Sequence, residues 1–136
     1  MASPRILLIE DDPISAKLAS NLLSELNATV TIVCCGEEAV ALFEKATPLD
    51  LVLTDLYLPD ISGFAVADRI RTTEHYRNRR IPIIALTSNA LMESKADFLK
   101  NSGFSDYITK PLRKNTFPDI IRHHLNPPGT AQLGWQ

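Results

Sequence analysis

The chain has 136 residues, of which 45% are hydrophobic and 22% charged, and its formal net charge is −2 at pH 7. This composition is typical of one globular domain and excludes a disordered or fibrous chain. The slightly acidic balance disfavours direct nucleic-acid binding, because that activity requires clustered Lys and Arg. The sequence contains neither an apolar run near ~18 residues nor a signal-peptide pattern, so we expect a cytoplasmic protein without membrane insertion.

The first half of the chain alternates between strand and helix patterns. Residues 5–10 form an apolar run that ends in acid, which predicts a buried first strand. Asp12 can cap a helix over residues 13–26. The apolar residues of this helix recur every four positions, at Ile14, Leu18, Leu22 and Leu26. A β-branched run at residues 29–34 predicts the second strand, and residues 37–45 the second helix.

The second half continues the alternation. The apolar run Leu51, Val52 and Leu53 predicts a third strand that is buried on both faces. Residues 72–80 are polar and predict no regular element. The other predicted elements are helices over 64–71, 91–100 and 113–125 and strands over 81–87 and 104–108. Residues 126–136 have no period and predict a flexible tail or the start of a linker.

Five strands alternating with five helices predict βαβ units and therefore a parallel sheet. We expect a three-layer α/β sandwich, formed as a single domain by residues 1–125. Two groups of basic side chains are interpreted as solvated. They are the cluster Arg77, Arg79 and Arg80 and the histidines His75, His123 and His124.

Polar side chains follow four of the predicted strands, and parallel strands end at one edge of the sheet. These residues are Glu10 with Asp11, then Asp55, Thr87 and Lys110. Three neighbouring carboxylates could not all stay ionised without a cation, and their hard oxygen atoms suit Mg²⁺. A metal, a lysine and a hydroxyl beside an aspartate are suited to phosphoryl transfer, with Asp55 as the nucleophile.

Four segments together resemble the receiver domain of two-component response regulators. They are Ile-Leu-Leu-Ile-Glu-Asp-Asp at 6–12, Leu-Thr-Asp-Leu-Tyr-Leu-Pro-Asp-Ile-Ser-Gly at 53–63, Ala-Leu-Thr at 85–87 and Asp-Tyr-Ile-Thr-Lys-Pro at 106–111. The resemblance covers residues 5 to about 125 and implies a flavodoxin-like strand order, 2-1-3-4-5. Leu58 stands where such proteins often carry methionine, a difference that we expect to affect packing only.

The resemblance also implies a role for each residue of the site. Asp55 would be the phosphoacceptor, Lys110 the lysine of the site, and Thr87 the switch hydroxyl. Magnesium would be held by Asp11, Asp55 and the backbone carbonyl of Tyr57, with Glu10 acting through a water molecule. The remaining implied roles are Tyr107 as the switch aromatic, Pro111 in a cis bond after Lys110, and Tyr57 with Asn89 as residues that tune the lifetime of the phosphorylated state.

The implied partners are a histidine kinase or a histidine phosphotransfer protein upstream and a protein target or attached domain downstream. Phosphorylation would change the face formed by the fourth predicted helix, the fifth strand and the last helix. The protein would not be an enzyme with an external substrate, since it would catalyse only its own phosphorylation and dephosphorylation.

Other functions fit the residues less well. A haloacid-dehalogenase-type phosphatase needs a second acid two residues after its aspartate, where Tyr57 stands. A flavin- or nucleotide-binding site would need glycines or hydroxyls after the first strand, but Glu10, Asp11 and Asp12 would repel phosphate. A receiver-like interaction module that is never phosphorylated remains a third possibility. Whether the chain is a stand-alone regulator or part of a hybrid kinase also stays open.

Overall fold

A computed structural model of the chain describes residues 3–45, 48–88 and 94–125. Five strands lie within these ranges: β1 (Arg5–Ile9), β2 (Thr29–Val33), β3 (Leu51–Asp55), β4 (Ile83–Thr87) and β5 (Asp106–Thr109). The same ranges contain six α-helices: α1 (Pro13–Leu23), α2 (Gly36–Glu44), α3 (Gly63–Arg71), α4 (Glu74–Asn78), α5 (Lys95–Ser102) and α6 (Phe117–Leu125). A short 3₁₀ helix, Ser24–Leu26, follows α1.

All strand pairs are parallel, and the strand order is β2-β1-β3-β4-β5. This confirms the predicted flavodoxin-like three-layer fold. The central strands are buried on both faces, which explains why their apolar residues do not alternate with polar ones. The outer strand β2 is largely exposed, and Val33 is its one buried residue.

Successive residues of the central strands point to opposite faces and build two separate cores. One core contains Leu7, Ile9 and Val52 of the sheet, covered by α2, α3 and α5. The other contains Leu8 and Leu53, covered by α1 and α6. The helices therefore lie on both faces of the sheet, and both faces are dry.

The buried side of α1 differs from the side that the sequence pattern indicated. Ile14 is 80% exposed and Leu18 is 43% exposed. The inward face consists instead of Ala16, Ala19, Leu22 and Leu23. A residue four positions further along a helix is rotated by about 40°, so a strict repeat of four winds around the helix and cannot stay on one face. The two exposed apolar side chains lie on the first turns of α1.

Helix α4 was not predicted, because it lies within the polar segment 72–80. Thr73 caps this single turn by accepting a hydrogen bond from the backbone N–H of Tyr76, 3.2 Å away. Five residues are too few to display a helical repeat, so a local cap decides this element. The six helices of the described residues therefore replace the five that were predicted.

Other boundaries also differ from the prediction. Strand β4 starts at Ile83, after Pro82, which has no backbone N–H to donate. Strand β5 covers residues 106–109, later than predicted. Helix α6 starts at Phe117 and not at Arg113, because a turn comes first in which the Phe117 N–H bonds the Arg113 carbonyl at 2.8 Å. Asn89, residues 91–93 and the tail 126–136 lie outside the described residues.

Among the described residues, no helix is both long enough and apolar enough to cross a membrane.

Candidate functional site

Four strands end at the same edge of the sheet, which we call the carboxyl edge. Ile9 is paired with Thr54, Asp55 with Leu86, and Thr87 with Thr109. Glu10 and Lys110 directly follow two of these strands. The register therefore brings together the residues that the sequence placed at the strand ends, because all strands run in one direction.

Three carboxylates converge at this edge. Glu10, Asp11 and Asp55 each offer an oxygen atom, and these atoms all lie within 4.8 Å of one another. Glu10 is buried, Asp55 is half-buried and Asp11 is exposed, so the cluster is shielded from solvent at Glu10 and open to solvent at Asp11. Carboxylate oxygens with access to water are the ligands that Mg²⁺ prefers, and the three residues fit such an ion.

Lys110 compensates part of this negative charge. Its Nζ lies 2.5 Å from Glu10 Oε1 and 3.1 Å from Asp55 Oδ2. Burial lowers the pKa of Lys110, but its hydrogen bonds to Glu10 and Asp55 outweigh burial and raise that pKa. Burial raises the pKa of Glu10 and outweighs the opposing effect of Lys110. The lysine is therefore a fixed cation that is shared by two acids.

Three hydrogen bonds hold Asp55 in place. Its Oδ1 accepts a hydrogen bond from the Tyr57 N–H at 3.2 Å, and its carbonyl oxygen accepts one from Thr54 Oγ1 at 2.9 Å. Oδ2 accepts a hydrogen bond from Lys110, so each carboxylate oxygen of Asp55 has a partner that fixes its orientation. The Tyr57 residue is 63% exposed, while its main chain lies beside the acceptor carboxylate.

The loop between β3 and α3 is closed by Gly63. The Gly63 N–H donates to the Leu56 carbonyl at 2.9 Å. A Cβ atom at Gly63 would lie 2.3 Å from the carbonyl oxygen of Asp55, so no larger residue fits here without moving the acceptor strand. This glycine sets how tightly the loop folds back on the site.

Asp60 fixes the same loop to the start of α2. Its two carboxylate oxygens accept hydrogen bonds from the N–H groups of Gly36 and Glu37, each at 2.8 Å. The Glu37 bond is the largest influence on the carboxyl group, and together the backbone bonds lower the pKa of Asp60 to about 2. The motif at 53–63 contains Asp60 but assigns it no role of its own. One sequence signal was present, because cysteine is not among the residues that usually cap a helix, and Cys35 precedes α2.

The two predicted switch residues lie on neighbouring strands. Thr87 is buried at the end of β4, and its carbonyl accepts the Lys110 N–H at 2.7 Å. Tyr107 is paired with Ala85, two residues before Thr87, so the side chains of Tyr107 and Thr87 share one face of the sheet. The Tyr107 ring is half-buried and meets Phe98 of α5 edge-on, with centroids 5.3 Å apart. The Lys110–Pro111 peptide bond is cis.

Asp106 connects the three elements of the predicted switch face. It bonds Lys95 of α5 at 2.7 Å and His124 of α6 at 2.8 Å, from its own position on β5. Burial raises the pKa of Asp106, but the bonds from Lys95 and His124 outweigh it and lower that pKa. The interpretation of His124 as a solvated side chain is therefore wrong, since only 18% of this side chain is exposed. No local pattern indicated this contact.

The fold and the carboxyl edge together define a flavodoxin-like domain with an acidic site, a lysine and an oriented aspartate. A family model for the response regulator receiver domain matches residues 6–122. The chain belongs to this family, as the sequence motifs predicted.

Individual relatives and solved structures support this family assignment. Sensor protein GacS of Pseudomonas syringae pv. syringae is 34% identical over 120 residues, which are 88% of this chain and 13% of that protein. Transcription factor prr1 of Schizosaccharomyces pombe is 34% identical over 122 residues, 90% of this chain and 22% of that protein. The chain thus spans only a small part of these relatives.

Among solved structures, the receiver domain of sensor histidine kinase PA1611 from Pseudomonas aeruginosa PAO1 superposes with a TM-score of 0.79 at 34% identity. The match covers 92% of this chain and 99% of that one, and that crystal structure contains a magnesium ion in its active-site cleft. The receiver domain of a LuxO repressor protein from Vibrio parahaemolyticus gives a TM-score of 0.80 at 25% identity, covering 99% of each chain.

Proposed function

We propose that the protein accepts a phosphoryl group on Asp55, in a magnesium-dependent transfer from a phosphohistidine. The observation that carries this proposal is the position of the Lys110 ammonium, 3.1 Å from Asp55 Oδ2 and 2.5 Å from Glu10 Oε1. A cation at this point can bind an equatorial phosphoryl oxygen as negative charge develops in the transfer.

The acidic cluster supports a magnesium site. Asp11 and Asp55 would be direct ligands together with the backbone carbonyl of Tyr57, and Glu10 would act through a water molecule. When bound, the ion would offset negative charge shared by the carboxylates and the phosphoryl oxygens. The magnesium ion in the cleft of the 34% identical PA1611 receiver domain supports the same assignment.

The transfer itself requires few groups. A carboxylate oxygen of Asp55 forms a bond to phosphorus, while the bond between phosphorus and the donor histidine nitrogen breaks and that nitrogen keeps the electron pair. The Tyr57 N–H and Lys110 hold the acceptor carboxylate in one orientation, which removes the entropic cost of aligning it. The Thr87 hydroxyl is expected to bind a phosphoryl oxygen once the group is in place.

Switching would follow from that contact. A phosphoryl group adds roughly −2 of charge, which attracts the Thr87 hydroxyl and opens space for the Tyr107 ring on the same face of the sheet. The ring contacts Phe98, so its movement would be transmitted to α5. The face that responds is formed by α5, β5 and α6, which Asp106 holds together in this structure.

The expected donor is a histidine kinase or a histidine phosphotransfer protein. Ile14 and Leu18 are exposed apolar side chains on α1, and Leu18 also lines a cavity of about 340 Å³ with Ser88, Lys110 and Pro111. An apolar surface next to Lys110 of the acceptor site supports docking of a protein donor. Relatives that are sensor proteins and transcription factors support an attached domain or a protein target downstream. Because ATP supplies the phosphoryl group of a histidine kinase, we expect the transfer to occur in the cytoplasm.

We expect no turnover of external phosphate esters, and the protein would catalyse only its own phosphorylation and dephosphorylation. Tyr57 occupies the position two residues after Asp55, where a phosphatase of the haloacid-dehalogenase type needs a general acid.

Intact-protein mass spectrometry tests the proposal directly. After incubation with acetyl phosphate and magnesium, the wild type should gain the mass of one phosphoryl group. The gain should disappear in Asp55→Asn and in the presence of a chelator. Equal labelling of Asp55→Asn would refute the assignment of the acceptor, while labelling that persists in chelator would refute the role of the metal.

A further inference from the structure

A cavity of about 550 Å³ lies at the opposite edge of the sheet, which we call the amino edge. Its walls come from the starts of three strands and from the end of α6. Arg5 begins β1, Asp50 precedes β3, and Arg79 and Arg80 lead into β4. The cavity is therefore separate from the acceptor site, which lies where the strands end.

Three arginines line this cavity, and the guanidinium groups of two of them share a single carboxylate. Asp50 accepts hydrogen bonds from Arg79 Nη2 at 2.6 Å and from Arg5 Nε at 3.3 Å. It also accepts the backbone N–H of Arg5 at 2.7 Å, so the acid is firmly held. His124 lines the cavity too, but its ring is already bonded to Asp106. The cavity thus carries an excess of positive charge.

Much of the donor capacity of these arginines is unused. Arg80 has no hydrogen bond or ion pair with any described residue. Arg5 contributes only its backbone N–H and Nε to Asp50, which leaves both terminal nitrogens available. Arg79 donates from one terminal nitrogen to Asp50 and from the other to the Leu49 carbonyl, at 3.2 Å. The ion pairs with Asp50 hold the guanidinium groups of Arg5 and Arg79 in place and leave some of their N–H donors free.

The remaining walls are apolar. Ile81 is buried, and Leu26 and Leu125 are half-buried, and all three line the same cavity. A cavity of this volume is of the size that small-molecule ligands occupy. Guanidinium groups bind phosphate oxygens in pairs because their planar fork matches the phosphate geometry. The charged wall therefore suits phosphate, and the apolar wall suits an organic group that carries it.

We propose that this cavity binds the diphosphate group of a small molecule, with Arg80 and Arg5 as the free cations and Arg79 held beside them by Asp50. Either free pyrophosphate or a nucleoside diphosphate could supply the diphosphate. The apolar contacts with Ile81 and Leu125 favour the nucleotide. The site is independent of the transfer to Asp55.

A titration of the full 136-residue chain tests this site. The ¹H–¹⁵N spectrum of the wild type is followed as ADP or pyrophosphate is added in EDTA, which keeps the carboxyl edge free of divalent metal. We expect saturable shifts of the Arg5, Asp50 and Arg80 amides with both ligands, and tighter binding of ADP. Equal affinities would identify free diphosphate as the ligand. Adenosine alone should cause no saturable shifts.

Two variants separate specific binding from general attraction to a basic surface. Arg80→Gln removes a side chain without a partner, so folding is unaffected and we expect affinity to fall about tenfold. Arg77→Gln is the matched control, because Arg77 lies three residues earlier, on α4, bonds the Thr72 carbonyl at 3.0 Å and does not line the cavity. Unchanged affinity in Arg80→Gln, an equal loss in Arg77→Gln, or shifts confined to the carboxyl edge would each overturn the proposal.

Discussion

The two edges of the sheet have opposite charge arrangements. At the carboxyl edge a single cation, Lys110, bonds two carboxylates, those of Glu10 and Asp55. At the amino edge a single carboxylate, Asp50, bonds two cations, Arg5 and Arg79. Asp106, at the start of β5, also lies between two basic residues, Lys95 and His124.

The direction of the chain explains this inversion. In a parallel sheet with helices between the strands, helices begin at the edge where strands end, and they end where strands begin. The amino termini of helices carry partial positive charge and favour acids, whereas their carboxyl termini favour bases. Helix α1 begins next to the acidic cluster, and α6 ends at the cavity that contains the arginines. The same scaffold thus supports an acidic site at one edge and a basic one at the other.

The largest expected effect comes from removing the Lys110 cation at the carboxyl edge. Lys110→Ala should slow phosphorylation of Asp55 by acetyl phosphate about 100-fold, because the transition state loses its fixed cation. Initial rates followed by mass spectrometry measure the effect. Lys114→Ala removes an exposed lysine four residues away and should leave the rate unchanged. Similar rates for both variants would exclude a direct role for Lys110.

A second test asks whether the carboxyl edge is suited to a protein donor. Ile14→Ser removes a side chain that is 80% exposed, so the fold should not be affected. Transfer from a cognate histidine phosphotransfer protein should slow roughly tenfold, as for a central apolar contact in an interface. Phosphorylation by acetyl phosphate should not change. Equal slowing with both donors would mean that Ile14 acts on the chemistry and not on docking.

At the amino edge, Asp106→Asn should lower the free energy of unfolding by about 1 kcal/mol at pH 7, since it weakens two hydrogen bonds to a half-buried acid. The folded state lowers the pKa of Asp106 below its ordinary value of 3.8. A lowered pKa stabilises the fold above the unfolded-state value, and this contribution disappears as the pH falls through the folded-state value.

Urea unfolding from pH 7 to pH 3 should therefore show the difference between wild type and Asp106→Asn shrinking below about pH 5. A difference that stays constant over this range would mean that the charge of Asp106 contributes nothing to stability.

The smallest expected effect concerns Tyr57. We expect its ring to lie across the path of the water that hydrolyses the aspartyl phosphate, so Tyr57→Asn should accelerate loss of phosphate by a few-fold. The backbone carbonyl proposed as a metal ligand stays in place in this variant. Decay is measured on preloaded protein that has been separated from its donor. Unchanged or slower decay would remove Tyr57 from the hydrolysis step.

Much of the site could be predicted from the sequence. Unalternating apolar runs identify buried parallel strands, and residues that follow such strands must meet at one edge. Glu10, Asp11, Asp55 and Lys110 are thereby predicted to lie together. In the structure Lys110 bonds Glu10 and Asp55, and oxygen atoms of the three carboxylates lie within 4.8 Å of one another. Strand order followed from the family resemblance, which the comparisons bear out.

The tertiary structure alone decided several other contacts between side chains that are distant in the sequence. Asp60 bonds residues 24 and 23 positions away, Asp106 bonds His124 at a separation of 18, and Arg5 bonds Asp50 at a separation of 45. The repeat of four also did not identify the buried face of α1, and the structure shows that Ile14 is 80% exposed. Periodicity reports which face of one element is apolar, whereas these contacts depend on how separate elements pack against each other. That packing is set by the whole core, and no local stretch of sequence encodes it.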